Sequence, residues 1–460
     1  MAELPQNWIE SKLEYIVWHK KGSKPKKLYI SIQEGFVPYI DIKAFEKNIL
    51  EQYTEKNLAK LTKPNNILVV WDGARAGLVG LAPCIGAIGS TLVDIEPKTK
   101  EIINKYLYYF LFSNYAYINS KPRGTGTPHV NPDLYWNMLI PLPPSNEQKR
   151  IVEKLDKMVR IVDDVNARLN KIPTALKRAR QSILNQAITG ELTKDWRKKN
   201  NIQITKDDLK NKIQTELNFL YRNKKITKEN LQIKIDDIRE NSCSSWFNIK
   251  ARFLCHHITK GTTPKQILEI GAIPYLKVYN IVNNKIDFSY KPQFVSFETH
   301  NTFLERSKVY PNDVVMNIVG PPLGKVAIIP NDYKEWNINQ ALAIFRPIKY
   351  LLSEYVYIVL SCDSTLLPVL PDVKGIVGQS NISLEQCRNL LFPLPPLEEQ
   401  AEIVRRVKLA FEKLDKIESR YQKAKEYSDK LTQSILNKAF RGELVPQDPN
   451  DKPVEIKKQI

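Results

Sequence analysis

Ile140-Pro-Leu-Pro-Pro144, followed by Glu147-Gln148 and Ile151-Val152, recurs as Phe392-Pro-Leu-Pro-Pro396, Glu399-Gln400 and Ile403-Val404. The offset is 252 positions (Pro143 against Pro395), and it holds without a gap to Gln181-Ser-Ile-Leu-Asn185 against Gln433-Ser-Ile-Leu-Asn437. It still holds at Gly190-Glu-Leu192 against Gly442-Glu-Leu444. Upstream the echo is looser: Trp8 with Trp246, Val37-Pro-Tyr-Ile40 with Ile273-Pro-Tyr-Leu276, Tyr106-Leu-Tyr108 with Tyr355-Val-Tyr357, Gly126 with Gly378. A repeat of this kind fixes the architecture before any motif does. It reads as a variable globular unit followed by a constant helix, twice over.

The constant segment carries a heptad stripe. Ile151, Leu155, Met158, Val162, Val165, Leu169, Ile172, Leu176, Ala179 and Ile183 step by four and three, the seam of a coiled coil. The second copy gives Ile403, Val407, Ala410, Leu414, Ile417, Tyr421, Ala424, Ser428, Leu431 and Ile435, broken only at Ser428. So narrow a stripe needs a partner, and the other copy, with the same register and length, supplies it. Each helix is expected to span roughly 33 residues, or about 50 Å. The Pro-Pro pairs set the starts and Gly190 and Gly442 the ends, with a kink at Pro173. The alternative is two separate surface helices packed on their own domains.

The expected fold class is α+β: two mixed α/β globular domains separated by two long helices that pair with each other as a coiled coil, an internal repeat. The expected boundaries are 1–144 and 242–396 for the globular domains and 145–193 and 397–445 for the helices. A charged, partly helical linker is expected at 194–241 and a tail at 446–460. Ile67-Leu-Val-Val-Trp71 and Asp313-Val-Val-Met316 read as strands, and Glu101 to Tyr117 and Leu352 to Ser361 as helices.

With 69 Lys+Arg against 50 Asp+Glu among 460 residues, the formal charge is +19. That balance favours a polyanionic partner, nucleic acid before a membrane surface, although a lysine-rich composition alone could produce it. Five cysteines (Cys84, Cys243, Cys255, Cys362, Cys387) form no CxxC pair and suit a reducing cytoplasm. Met1-Ala-Glu-Leu-Pro is no signal peptide, and the apolar stretch from Tyr106 to Ile118 is too short for a bilayer.

Catalytic signatures are wanting. Gly320-Pro-Pro-Leu-Gly324-Lys325 is one residue short of a phosphate loop, and Val326 stands where a magnesium-holding hydroxyl belongs. Asp133 interrupts the Asn131-Pro132-Asp133-Leu134 stretch that an amino-methyltransferase would need intact. Cys255-His256-His257 alternates across a strand and has no second ligand pair at finger spacing. Five histidines offer no clear hydrolytic triad. No catalytic residue, metal or cofactor is expected in this chain.

Recognition chemistry remains. Lys20, Lys21, Lys24, Lys26 and Lys27 cluster around Gly22 and Pro25 with no acid between Tyr15 and Gln33, a loop able to straddle phosphates or simply a solvated turn. His256, His257, Lys260 and Lys265 answer it in the second unit. Lys121, Arg123, Thr125, Thr127 and His129, with Lys374, Gln379 and Asn381 as counterparts, lie in glycine-bearing segments. Arg, Thr, His, Gln and Asn are side-chain types that bond base edges. Arg75 and Lys325 follow matching strands and could also reach DNA.

The whole chain resembles the specificity subunits of type I restriction–modification systems. The motifs that carry the resemblance are Leu4-Pro-x-x-Trp8, Pro-Leu-Pro-Pro with Glu-Gln at 141–148 and 393–400, and Gln-Ser-Ile-Leu-Asn-x-Ala…Gly-Glu-Leu at 181–192 and 433–444. Thr193-Lys-Asp-Trp196 follows the first helix. The second unit departs from the pattern, since Ser245-Trp246 lacks the Leu-Pro. The resemblance implies two target-recognition domains, antiparallel helices and no catalysis in this chain. It implies two adenine methyltransferase and two ATP-driven translocase–nuclease partners, which would hold S-adenosylmethionine, ATP and magnesium. Antiparallel helices of equal length would give one chain the symmetry of an isologous dimer and set two different readers on a bipartite, asymmetric target. An autonomous DNA enzyme and a protein-binding coiled-coil scaffold are the competing readings.

Overall fold

The computed structural model describes residues 4–47, 49–124, 126–201, 204–228, 231–243, 245–369 and 381–455. It forms two compact units, Met1–Lys171 with Tyr421–Ile460, and Ile172–Arg420.

In the first unit, Val17–Lys21, Leu92–Pro97, Ile67–Val70 and Val79–Leu81 form an antiparallel sheet in that order. A second sheet runs Tyr53–Glu55, Phe36–Ile40, Gly86–Ile88, Leu61–Thr62, with its central pair parallel. The unbroken apolar run Ile67–Val70 is buried at every residue because both its faces are covered. Ile67 and Val69 pack toward Tyr106, Leu107 and Phe110 of the helix Asn104–Ser113, while Leu68 and Val70 pack toward Ile40, Ala44 and Ile88. This is the two-residue period of a strand.

The second unit repeats this plan. Cys255–Lys260, Leu342–Pro347, Val314–Asn317 and Val326–Ile328 form one sheet, and Phe294–Val295, Ile273–Leu276, Trp336–Ile338 and Lys308–Val309 the other. Val314 and Met316 again face one core and Val315 the other.

The constant segments form the helices Ser145–Leu169 and Ile172–Thr189, and the 44-residue helix Leu397–Phe440. They pair antiparallel within each unit. In the first, Lys425 Nζ lies 3.2 Å from Asn166 Oδ1 and Gln447 Nε2 2.8 Å from Glu147 Oε1. In the second, Arg180 meets Asp415 at 2.5 Å and Arg406 donates to Leu192 O at 2.8 Å. As the number rises along one helix it falls along its partner.

Several expectations need correction. The first helix is not continuous through Pro173: it ends at Leu169 and restarts at Ile172. Pro173 then falls in the first turn of the new helix, where its missing N–H costs nothing. The other copy, lacking a proline there, runs unbroken over 44 residues, longer than the roughly 33 read from its seam and within the expected 397–445. The seam is open in places, since Val165 is 42% and Ile417 46% exposed.

The stretch 194–241 is no free linker. Lys206–Arg222 is a helix whose Leu209, Ile213, Leu217 and Leu220 join the core of the second unit, and Glu216 pairs with Lys349 at 2.8 Å. Dense lysines hid its apolar stripe. Ile238–Glu240 already pairs with Phe247–Lys250, so that unit begins before residue 242. The expected tail is also anchored, with Asp451 and Val454 buried in the first unit.

The repeated Glu-Gln pair holds each globular unit to its helix. Trp8 Nε1 donates to Glu147 at 3.1 Å and Trp246 Nε1 to Glu399 at 2.8 Å. Glu399 also receives Thr193 Oγ1 at 2.7 Å and the Arg197 guanidinium. Gln148 donates to the carbonyls of Glu101 and Pro143 and accepts from Ile103 N–H. Gln400 treats Tyr350, Pro395 and Leu352 identically. Tyr106 and Tyr355 hydroxyls close the pattern on Pro141 O and Pro393 O at 2.7 and 3.0 Å. Fully buried amides and carboxylates are stable only when every partner is present.

Candidate nucleic-acid interface

In each unit the strand 67–70 or 314–317 delivers the chain to a glycine turn on which a second segment docks. In the first, Val130 N–H donates to Trp71 O at 2.9 Å, Gly73 N–H to Pro128 O at 2.8 Å, and Asp72 bridges His129. In the second, Ile382 N–H donates to Ile318 O at 2.9 Å and Val319 bridges Asn381. Gly73 and Gly320 hold φ of 109° and 76°, a conformation that favours glycine. Asn131 and Ser383 then cap the helices Pro132–Trp136 and Leu384–Asn389.

The two turns share backbone but differ in chemistry. In the first unit Asp72 lies between Lys21 Nζ at 2.9 Å and His129 Nδ1 at 2.7 Å. Burial pushes its pKa up, but the bonds from Lys21 and His129 outweigh burial and hold the carboxyl below its usual range. His19 stacks on Trp136 with ring centroids 4.2 Å apart, and Trp136 stacks on Trp71 at 5.5 Å. Valine at 319 gives the second turn no such charge.

The sequence-derived residues fall into distinct environments. Lys20 and Lys21 are on the strand Val17–Lys21, not in a loop. Lys20 lies 3.3 Å from buried Asp94, an ion pair short of hydrogen-bond geometry, so both side chains have acidic partners that the local sequence did not reveal. Lys24, Lys26 and Lys27 are exposed on the segment that follows. Gly22, at its start, passes so near Ile88 and Gly89 carbonyls that a Cβ would meet them at 2.5 Å or less; Gly261 makes the same approach to Ile338 and Asn339.

Arg75 is paired with Glu46, and Lys121 lies 4.5 Å above the Tyr117 ring. Arg123 and His129 exchange backbone hydrogen bonds across a turn that exposes Thr127. Lys260 and Lys265 are exposed, and Lys325 is partly buried with Nζ 3.4 Å from Ile281 O. His257 Nε2 lies 3.1 Å from Arg306 O, and Asn381 stands at the bridge with Val319. Thr125, Lys374, Gln379 and Gly378 lie outside the described residues. The structure therefore brings Lys21 and His129 onto Asp72, with Arg123 joined to His129 through the backbone; sequence reasoning passed over Asp72 inside Trp71-Asp-Gly.

Gly320–Lys325 joins two antiparallel strands, Val314–Asn317 and Val326–Ile328. A phosphate loop would lead from a strand into a helix. Cys255-His256-His257 lies at a register shift in its strand. Among the described residues, no group of three or more His, Cys, Asp or Glu is placed to hold a metal ion. No described helix is long and apolar enough to cross a membrane.

Two twin units on antiparallel helices with divergent turns match one known plan. The family model for the type I restriction modification DNA specificity domain matches residues 5–174 and 244–426.

The chain belongs to that family.

The type I restriction enzyme EcoBI specificity subunit of Escherichia coli is 29% identical over 452 residues, 97% of this chain and 88% of that protein. The EcoKI specificity subunit of Escherichia coli strain K12 is 27% identical over 466 residues, 97% of this chain and 91% of that protein. A solved chain from work on complex assembly and conformational transition of the type I R-M system superposes with a TM-score of 0.67. It shares 21% identity, covering 96% of this chain and 100% of that one. The HsdS subunit from Thermoanaerobacter tengcongensis gives a TM-score of 0.50 at 19% identity, covering 96% and 98%. At such identities these two superpositions speak for the fold. Membership of the family makes the chain a DNA-binding specificity subunit.

Proposed function

We propose that this specificity subunit reads a bipartite, asymmetric duplex target, one half-site per globular unit, and performs no chemistry itself. The supporting observation is the pair of glycine turns: the same backbone bridge carries Asp72 with Lys21 and His129 in one unit, and Val319 with Asn381 in the other. Readers with one frame and unlike side chains select unlike bases, because base-edge contacts specify while phosphate contacts position.

In this reading Lys24, Lys26, Lys27, Lys260 and Lys265 meet phosphates, and Lys121, Arg123, Thr127, His129 and Asn381 lie toward base edges. The long helices dock two adenine methyltransferase subunits, with two ATP-driven translocase–nuclease subunits completing the assembly. S-adenosylmethionine, ATP and magnesium belong to those partners.

Methylome sequencing of cells carrying the gene with its methyltransferase tests the reading. The expected result is methylated adenines in two dissimilar half-sites separated by an unread spacer. A single uninterrupted motif would overturn it. A second test is salt-dependent duplex binding by the purified chain, with neither methylation nor cleavage.

A further inference from the structure

The second unit contains a cavity beside the strand Cys255–Lys260. It measures about 200 Å³ and is lined by 225–227, Arg252, 255–259 and Arg388. Three independent features of the sequence meet there. One wall, 225–227, follows directly on the helix Lys206–Arg222. Another is a register shift: Cys255 pairs with Pro347 and His257 with Arg346, leaving His256 as an extra residue. In the first unit Val17 and Trp18 pair with Pro97 and Glu96 without interruption. Bulges of this kind re-aim a side chain and gather near functional sites. The third is charge: Arg388 stands at the repeat position of Trp136, and Arg252 in the short helix matching Leu13–Ile16.

Two buried nitrogens on these lining residues, Arg252 Nε and His256 Nδ1, have no hydrogen-bond partner. Orphaned buried polar atoms are few in a folded protein and call for an explanation. Around them stand Lys225, Arg388 and the hydroxyls of Thr227 and Thr259. The opposing charges are Glu385, which pairs with Arg252 and lies 3.9 Å from Arg388, and Asp313, which Arg346 already holds. Arg252 also donates to Asn389 Oδ1 at 3.2 Å and Arg388 to Ile258 O at 3.3 Å, yet Glu385 alone faces three cationic side chains, and Arg252 Nε remains unmet.

We infer that this cavity is an oxyanion pocket that takes a phosphate group, supplied either by the DNA backbone or by a free phosphate. Arg252 and Arg388 contribute charge-assisted hydrogen bonds, Lys225 a further positive charge, and His256 a ring nitrogen. The DNA source rests on the proposed function; the free-phosphate source does not.

The test uses the full chain and inorganic phosphate, against potassium chloride at equal ionic strength. Phosphate is expected to raise the melting temperature and to move the His256 ring-nitrogen resonances, while chloride does neither. Arg388→Gln and His256→Val, the latter replacing the imidazole by an apolar side chain, are each expected to weaken phosphate binding about tenfold. If the phosphate belongs to DNA, Arg388→Gln lowers the salt slope of duplex binding by about one and phosphate competes with duplex. If it is free, phosphate binds the DNA-bound chain equally well and the slope is unchanged. Wild-type protein that shows no phosphate-specific shift in melting or in the His256 resonances, with an unaltered slope in Arg388→Gln, overturns the pocket. Duplex binding that persists in that case leaves the proposed function standing.

Discussion

Trp246 Nε1 donates to Glu399 Oε2 at 2.8 Å in the core of the second unit, where Glu399 is wholly buried. The same carboxylate takes Thr193 and Arg197, so one side chain ties the opening of a globular unit, the start of one helix and the segment after the other. Removing Arg197 leaves a buried charge with only neutral donors. Arg197→Ala is expected to destabilise the second unit by about 3–5 kcal/mol, and Trp246→Phe by about 1–3 kcal/mol. Urea unfolding followed separately in the two units checks both.

Gln400 satisfies three backbone groups at once, as Gln148 does in the first unit. Gln400→Leu leaves Leu352 N–H and two carbonyls without their partner. A loss of about 1–3 kcal/mol for each buried group is the upper expectation. Proteolysis should show the consequence as new cleavage near Tyr350 to Leu352 in the variant alone.

The anchored C-terminal segment predicts a stability effect of its own. Asp451 pairs with Arg150 at 2.8 Å and Gln447 with Glu147 at 2.8 Å. Ending the chain after Gly442 should lower the melting temperature of the first unit and leave the second unchanged. Differential scanning calorimetry distinguishes the two transitions.

Acid should act on the second unit through His256. Burial, helped by Arg346, His257 and Lys225 and opposed by Asp313, lowers its pKa from 6.5 to about 4. The unfolded chain therefore binds this proton more readily than the folded one. Stability falls as pH drops from 6.5 toward 4, and gains nothing from the group above that window. His256→Val should flatten this part of the stability–pH curve; His257, lowered for the same first reason, keeps the remainder. An equally steep curve in the variant refutes the assignment.

Replacing 121–131 with the corresponding segment of a relative of different specificity should change one half-site of the target and leave the other intact. The two segments dock on separate turns, so the swap leaves Val319 and Asn381 as they were. Methylome sequencing of the chimaera reads the outcome directly.

The duplication was plain in the sequence because Pro-Leu-Pro-Pro and Glu-Gln recur at one fixed offset. The heptad stripe also carried the pairing of the two helices, since a narrow apolar seam has few ways to be covered; their antiparallel direction came from the family resemblance. What escaped was set by long-range contacts. Lys20 and Lys21 look like free loop cations, yet their acids, Asp94 on a strand and Asp72 in the glycine turn, arrive from more than fifty residues away. The helix Lys206–Arg222 shows its Leu209–Ile213–Leu217–Leu220 stripe only when lysines and aspartates between them are set aside. His256 gave no sign of a bulge, because a register shift belongs to two strands and a sequence shows one.

Gln148 grips the main chain at Glu101, Ile103 and Pro143, and Gln400 does so at Tyr350, Leu352 and Pro395. A clasp that recognises peptide groups is indifferent to which amino acids surround it. The turns that the proposed function assigns to DNA reading can therefore change their side chains without loosening the scaffold, and under that proposal each half of the target is free to change without the other.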